Sequence, residues 1–358
     1  MREYTVAILG ATGAVGTRLL EQLEKSTIPV KELKLLASKR SVGKKLRFKG
    51  QQIAVSEATP DAFTGVDLVL ASAGGAVSKR LLPEAVKRGA VCVDNTSAFR
   101  MEKEVPLVVP EVNEEALKEH RGIIANPNCS TIQMVVALEP IRQKYGLKQV
   151  IVSTYQAASG AGQSALEAMK TEARNYLSGQ EMHGEVFPVK SEPKHYPLAF
   201  NLLPQIDVFE EDGYTHEEWK MIHETKKIMS GEMNDPTLKV TATCVRVPVV
   251  IGHGESVYFT TKTPDVTVKD LRALLEVAPG VVVQDDPKQQ LYPQPLTAEG
   301  SRATYVGRLR ADHENPGSFN MWVVSDNLLK GAAWNTVQIA ERLVANELVS
   351  VPEDPYLG

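Results

Sequence analysis

Tyr4-Thr-Val-Ala-Ile-Leu9 runs directly into Gly10-Ala11-Thr12-Gly13-Ala14-Val15-Gly16, and this stretch decides the fold of the first part of the chain. The apolar run Tyr4–Leu9 predicts a strand, and Val15–Glu24 carries helical periodicity. Glycine between them permits a tight turn and lets backbone N–H groups approach a pyrophosphate at the helix N-terminus. The spacing alone is common; its place after a strand and before a helix gives it meaning. The competing reading is a tight turn that binds nothing.

Outward from that turn, strand and helix patterns alternate. Leu33–Ala37, Val66–Ala71 and Ala90–Asp94 read as strands, with a helical stretch at Ala76–Arg88. Such alternation predicts a parallel sheet covered on both faces, an α/β Rossmann-type domain. Leu33–Ala37 is followed by Ser38, Lys39, Arg40 and Ser41, where an NAD site usually places an acidic residue for the ribose 2′-OH. Hydroxyls and cations suit a 2′-phosphate instead, so NADP is expected; a solvated basic loop is the alternative. Ser72-Ala-Gly-Gly75 would complete the rim at the carboxyl ends of the strands.

A chain of 358 residues with 43% apolar content predicts two domains with ordinary cores. They are expected at 1–128 with 328–358, and at 129–327. A net charge of −4 without a basic stripe argues against a nucleic-acid partner. Cys92, Cys129 and Cys244 lie far apart, a pattern that fits neither a disulfide framework nor a zinc cluster, so no metal is expected. With no signal-peptide pattern and no membrane-length apolar run, a cytoplasmic protein is expected.

The second half centres on Asn126-Pro127-Asn128-Cys129-Ser130-Thr131. Proline biases Asn126 away from helix, and Thr131–Tyr145 reads as helical, which places Cys129 at or just before a helix N-terminus. Unpartnered N–H groups and the helix dipole favour the thiolate there. A nucleophile is one reading and a small buried hydrophobe the other. Strands are expected at Gln149–Gln156, Lys239–Val250, Ser256–Thr261 and Phe319–Val324, and a helix at Ser164–Leu177. Ser178–Pro197 reads as irregular, and Thr215 with Glu218 forms a capping-box pattern before Glu217–Met229. These elements suggest a mixed sheet with helices on one face, an α+β domain. A final amphipathic helix, Leu328–Leu348, capped by Asp326 or Asn327, is expected to pack on the first domain.

A thiolate nucleophile calls for an acid or base, cations for an anionic substrate and donors for an oxyanion. His253, between glycines on a loop, is the most suggestive histidine. Arg246 is seven residues earlier; a straight strand would hold the two roughly 23 Å apart. They converge only if the chain bends, for which Pro248 and Gly252 are candidates. Glu224 and Lys227 share a helix face and could bind opposite charges of one ligand, or simply each other. Arg100 lies beyond Ala90–Asp94 on the glycine-turn rim, where a cation suits phosphate. Gln156 ends a strand before Ser159-Gly160-Ala-Gly162, a second contact for nicotinamide or substrate.

Together these residues resemble the aspartate-β-semialdehyde dehydrogenase family over nearly the whole chain. The matching blocks are Gly10–Gly16, Pro127–Thr131, Ser153-Thr-Tyr-Gln156, Cys244-Val-Arg246-Val-Pro248 and Ser325-Asp-Asn-Leu-Leu-Lys330-Gly. The resemblance implies reduction of L-aspartyl-4-phosphate by NADPH through a Cys129 acyl-enzyme, for lysine, methionine and threonine synthesis. It implies that His253 is the acid/base, that Gln156 orients the substrate and that Arg246 pairs with its α-carboxylate. Glu224 would hold the amine, and Arg100, Lys227 and Asn128 the phosphate. Ala11–Ala14, Ser38, Arg40, Ser159, Gly160 and Asn327 would contact NADP. A homodimer or dimer-based tetramer is implied. Within the same chemistry, N-acetyl-γ-glutamyl-phosphate reductase and short acyl-CoA reductases are the alternatives; a silent dinucleotide sensor is the alternative from another class.

Overall fold

Every residue of Tyr4–Leu9, Leu68–Ala71 and Val91–Asp94 is buried, as expected of strands covered on both faces. The computed structural model describes residues 2–358. In it these stretches are β1, β5 and β6 of a seven-stranded sheet. The other strands are β2 (Val30–Ala37), β3 (Lys45–Phe48), β4 (Gln51–Glu57) and β7 (Ile123–Ala125). Their order is β3-β4-β2-β1-β5-β6-β7, with only the β3–β4 hairpin antiparallel. This hairpin turns on Lys49 and Gly50, both at positive φ (46° and 82°). Helix α1 (Ala14–Glu24) follows β1, α2 (Gly75–Lys87) lies between β5 and β6, and the single turn α3 (Pro110–Asn113) precedes β7. The strand order reverses about β1, so the glycine turn sits at the switch point of a doubly wound α/β sheet.

A second compact unit spans Asn128–Gly331. It opens with α4 (Cys129–Tyr145) and continues through β8 (Leu147–Gln156), α5 (Gln163–Leu177), α6 (His216–Ser230), β9 (Lys239–Arg246) and β10 (His253–Thr261). It closes with α7 (Val268–Glu276), β11 (Val281–Val283), α8 (Pro295–Ala298), β12 (Thr304–Ala311) and β13 (Ser318–Ser325). The sheet order is β11-β12-β13-β10-β8-β9, mixed in direction because β8–β9 and β11–β12 are parallel. Alternate residues of β8 are buried toward α4, while Ile151 and Tyr155 point outward and are exposed. The capping box predicted at Thr215 forms, with Glu218 N donating to Thr215 and the Glu218 carboxylate accepting the Thr215 N–H.

The chain leaves this unit through a π-helical turn, Leu329–Ala333, and then forms α9 (Trp334–Ala345). The single long helix expected over Leu328–Leu348 is therefore two elements and ends three residues sooner. Asp326 Oδ1 accepts the Leu328 and Leu329 N–H groups (2.9 and 3.2 Å), so Asp326 rather than Asn327 caps the turn. α9 belongs to the first unit, which comprises the chain up to Pro127 with Ala332–Gly358. There Val337, Ala340 and Leu343 join Leu19 and Leu23 of α1 and Ile8 of β1 in the core.

Candidate active site

Cys129 is the first residue of α4, and Asn128 precedes it in extended conformation without a side-chain cap. The early N–H groups of the helix therefore face the sulfur end uncapped, the setting expected to favour thiolate. Cys129 is half-buried, whereas burial pushes the Cys92 and Cys244 thiols well above their ordinary range. Cys129 Sγ lies 3.1 Å from His253 Nε2 and 3.8 Å from Asn128 Oδ1.

The chain turns back between β9 and β10, with Gly252 at φ 94°, and brings Arg246 and His253 together. The two strands flank β8, with Arg246 opposite Gln156 and Gly254 opposite Tyr155. Ala157, just past β8, holds both side chains: its carbonyl accepts Arg246 Nη1 at 2.8 Å and its N–H donates to His253 Nδ1 at 3.0 Å. A Cβ on Gly160 would lie 3.0 Å from Arg246 Nη1 and 3.3 Å from His253 Cε1, so glycine leaves the room both occupy.

The Ala157 N–H fixes the tautomer. With Nδ1 accepting, neutral His253 carries its proton on Nε2, directed at the cysteine sulfur. Burial, reinforced by the Arg246 charge, lowers the His253 pKa to about 3, so the ring is neutral near pH 7. Arg246 is buried with its Nε unpartnered, and burial lowers its pKa too. A buried guanidinium edge of this kind suits a carboxylate supplied by a ligand.

Glu217 is a second acidic group beside these residues, in addition to Glu224. Glu217 Oε1 accepts from Asn128 Nδ2 (2.7 Å), Gln156 Nε2 (3.1 Å) and Ser130 Oγ (3.3 Å). Although burial alone would raise it, Lys220, these donors and Arg246 bring the Glu217 pKa down to about 2. Lys220 Nζ pairs with Asp207 at 2.8 Å and with Glu217 at 3.4 Å. Glu224 is fully buried and its Oε2 accepts the backbone N–H of Asn128 at 2.6 Å, so it holds the start of α4 next to Cys129. Lys227 lies one turn beyond it on α6, and seven residues from Lys220. Pattern reading missed Glu217, Lys220 and Ser130. Glu217 and Lys220 repeat the three-residue spacing of Glu224 and Lys227 two turns earlier, and spacing cannot choose between the pairs.

In the first unit, Gly10 (φ 88°) and Gly16 shape the turn: a Cβ on Gly10 would lie 2.5 Å from Ser72 O, and one on Gly16 2.1 Å from Gly10 O. Gly13 caps α1 without a side chain, leaving the N–H groups of Ala14, Val15 and Gly16 at the positive helix end. Thr12 Oγ1 is 3.3 Å from Ser41 Oγ, tying the glycine turn to the Ser38-Lys39-Arg40-Ser41 loop. The cradle, the open helix start and the neighbouring cations fit a dinucleotide phosphate. Arg100 is buried, its Nε donating to Asn126 O at 2.9 Å. In the second unit, Asn327 Oδ1 accepts the Gly252 N–H at 2.8 Å and its Nδ2 donates to Ser159 Oγ at 3.1 Å.

A dinucleotide-binding sheet in one unit and a cysteine–histidine pair on a mixed sheet in the other define a class of dehydrogenase. Two family models match in that order: the semialdehyde dehydrogenase NAD binding domain over 5–120 and the semialdehyde dehydrogenase dimerisation domain over 138–330. The chain is 58% identical to the aspartate-semialdehyde dehydrogenase of Bacillus subtilis, covering 97% of this chain and 99% of that one. Among solved structures it resembles aspartate semialdehyde dehydrogenase II of Vibrio cholerae complexed with ASA (43% identity, TM-score 0.89, 97% and 99% covered). It also resembles the Candida albicans enzyme with NADP (28% identity, TM-score 0.75, 97% and 100% covered). The chain belongs to the aspartate-semialdehyde dehydrogenase family and is an oxidoreductase. Among the described residues no helix is long and apolar enough to cross a membrane.

Proposed function

We propose that the chain reduces L-aspartyl-4-phosphate to L-aspartate 4-semialdehyde with NADPH, releasing phosphate, in the biosynthesis of lysine, methionine and threonine. The observation that carries this reading is the 3.1 Å approach of Cys129 Sγ to His253 Nε2 beside Arg246 and Glu217. The Cys129 thiolate attacks the acyl phosphate carbon, and the uncapped N–H groups of α4 with His253 Nε2–H stabilise the oxyanion. The C–O bond breaks, phosphate leaves with the electron pair and takes up a proton, and a thioester remains on Cys129. NADPH, bound, supplies the hydride that the thioester carbon accepts. His253 Nε2–H holds the oxygen of the resulting hemithioacetal, and as the carbonyl re-forms the C–S bond breaks, returning sulfur as thiolate.

Arg246 takes the α-carboxylate through its unpartnered Nε. Glu217 takes the ammonium group in place of Glu224, and Gln156 and Asn128 orient Glu217 through their amides. Arg100, Lys227 and Asn128 are the residues proposed for the phosphate. The turn Gly10–Gly16 with Ser38, Arg40, Ser41 and Ser72 holds the NADP phosphates. Ser159, Gly160 and Asn327 serve the nicotinamide end, since Gly160 borders His253. The matched dimerisation domain supports a homodimer, and exposed Ile151 and Tyr155 on the uncovered sheet face suit a partner surface. A cytoplasmic location fits this biosynthetic role.

The test is phosphate-dependent NADP⁺ reduction with the semialdehyde. Wild type is expected to be active and Cys129→Ala to lose at least about 10⁴-fold in kcat. Iodoacetamide should label Cys129 before Cys92 or Cys244, read by peptide mapping. Near-wild-type turnover by Cys129→Ala would reject the covalent route.

A further inference from the structure

Glu255 is the buried ionisable group that this mechanism leaves unused. It is two residues beyond His253 on β10, so both side chains point to the same face of the sheet, toward α4. It is fully buried, and neither carboxyl oxygen has a hydrogen-bond partner. Gln133 of α4, beside it, is also fully buried with Oε1 unpartnered.

The orientation of the Gln133 amide is fixed from its other side. Nε2 donates to the carbonyl of His253 at 3.3 Å and to that of Val323 at 3.5 Å. Flipping the amide would set Oε1 against two carbonyls, so Oε1 is left to face Glu255. An ionised carboxylate there would oppose an acceptor with acceptors in a dry interior, a costly arrangement. One proton resolves it. Of the groups around Glu255 the Gln133 amide alone favours ionisation, and burial outweighs it. Glu217 of α6 repels a negative charge there, and Cys244 of β9 is a buried thiol coupled to it. Across the sheet it faces Thr154 of β8 and Val323 of β13. Among the described residues no cation acts on it, and burial raises its pKa well above the carboxylate range.

We infer that Glu255 is a neutral carboxylic acid whose O–H donates to Gln133 Oε1, so that Gln133 clamps the His253 carbonyl and positions the imidazole against Cys129. Glu255 is thus a positioning residue. The inference rests on His253 acting at Cys129, which His253→Ala tests separately.

In the phosphate-dependent assay, Glu255→Gln keeps a donor for Oε1 and should retain kcat within about threefold, whereas Glu255→Met keeps the bulk without the donor and should lose about 10- to 100-fold in kcat with KM unchanged. In wild type, infrared difference spectra should show the carbonyl stretch of a protonated carboxylic acid at neutral pH, absent in Glu255→Gln. Absence of that band in wild type would overturn the inference, as would full activity of Glu255→Met or loss of activity in Glu255→Gln. If His253→Ala stayed active while the acid band persisted, the role of His253 would fall and the protonated Glu255 would stand. Because the infrared arm uses the wild-type protein, poor folding of a variant does not remove the test.

Discussion

Glu217 combines two demands that oppose each other elsewhere in the protein. Burial raises a carboxyl pKa, yet Lys220, Asn128, Gln156 and Arg246 hold this one ionised. A buried carboxylate beside an arginine with a free Nε suits a zwitterion that brings both an ammonium and a carboxylate. Hydrogen bonds to charged groups are worth about 1.5–3 kcal/mol, so Glu217→Gln should lower kcat/KM for the semialdehyde roughly 10- to 100-fold. Glu224→Gln should leave kcat/KM nearly unchanged and cost about 1 kcal/mol of stability through the Asn128 N–H contact, read by urea denaturation. Equal kinetic losses in the two variants would show that Glu217 has no special contact with substrate. Why Glu217 and Lys220 did not stand out in the sequence is physical. Cys129, His253, Gln156 and Arg246 were legible because each adjoins a local signal: a helix start, flanking glycines, a strand end. The side of α6 that meets β9 is settled by tertiary packing, and two pairs with equal spacing look alike until that packing exists.

At the scale of elements, β1, α1, α2 and the parallel pairing were legible because continuous apolar runs and glycine punctuation are local. The β3–β4 hairpin, β11, β12 and α7 were not. Lys49-Gly50 is a weaker hairpin turn signal than Asn-Gly, and β11 has three residues. The π-helical turn Leu329–Ala333 also escaped pattern reading, since helical periodicity does not distinguish one widened turn. That turn is where Gly331 approaches Cys129. A Cβ there would lie 2.7 Å from Cys129 Cβ and 3.1 Å from its Cα, and neither is the end of a flexible chain. Gly331→Ala should displace Cys129 and lower kcat on the order of 100-fold. NADP⁺ affinity, measured by fluorescence titration, should change little, because the glycine turn proposed to hold the phosphates lies in the other unit. Wild-type kcat in this variant would show that the turn yields without disturbing the sulfur.

At the scale of the whole molecule, fully buried groups couple stability to pH, and among them His253, Glu217 and Glu255 differ in sign. His253 and Glu217 have folded pKa values of about 3 and about 2 against reference values of 6.5 and 4.5, so the unfolded chain binds their protons first. Stability from His253 is therefore lost as pH falls from 6.5 toward 3, and that from Glu217 as it falls from 4.5 toward 2. Glu255 is raised above 4.5, so the folded chain holds its proton longer and its contribution declines as pH rises. Between 4.5 and 6.5, while Glu255 stays protonated in the fold, its slope and that of His253 oppose each other one proton for one. Between 3 and 4.5 the unfolded chain binds two protons more, from His253 and Glu217, which corresponds to roughly 3 kcal/mol per pH unit. For these groups, urea denaturation between about pH 3.5 and 7.5 should thus give a steep acid limb, a flat region between 4.5 and 6.5 and a decline above 6.5. Glu255→Gln removes only the opposing slope, so between pH 4.5 and 6.5 its stability should climb with pH where that of wild type is flat, and above 6.5 it should level off where wild type declines. Parallel curves for the two proteins would mean that Glu255 titrates alike in the folded and unfolded chain, and its buried proton would have to be given up.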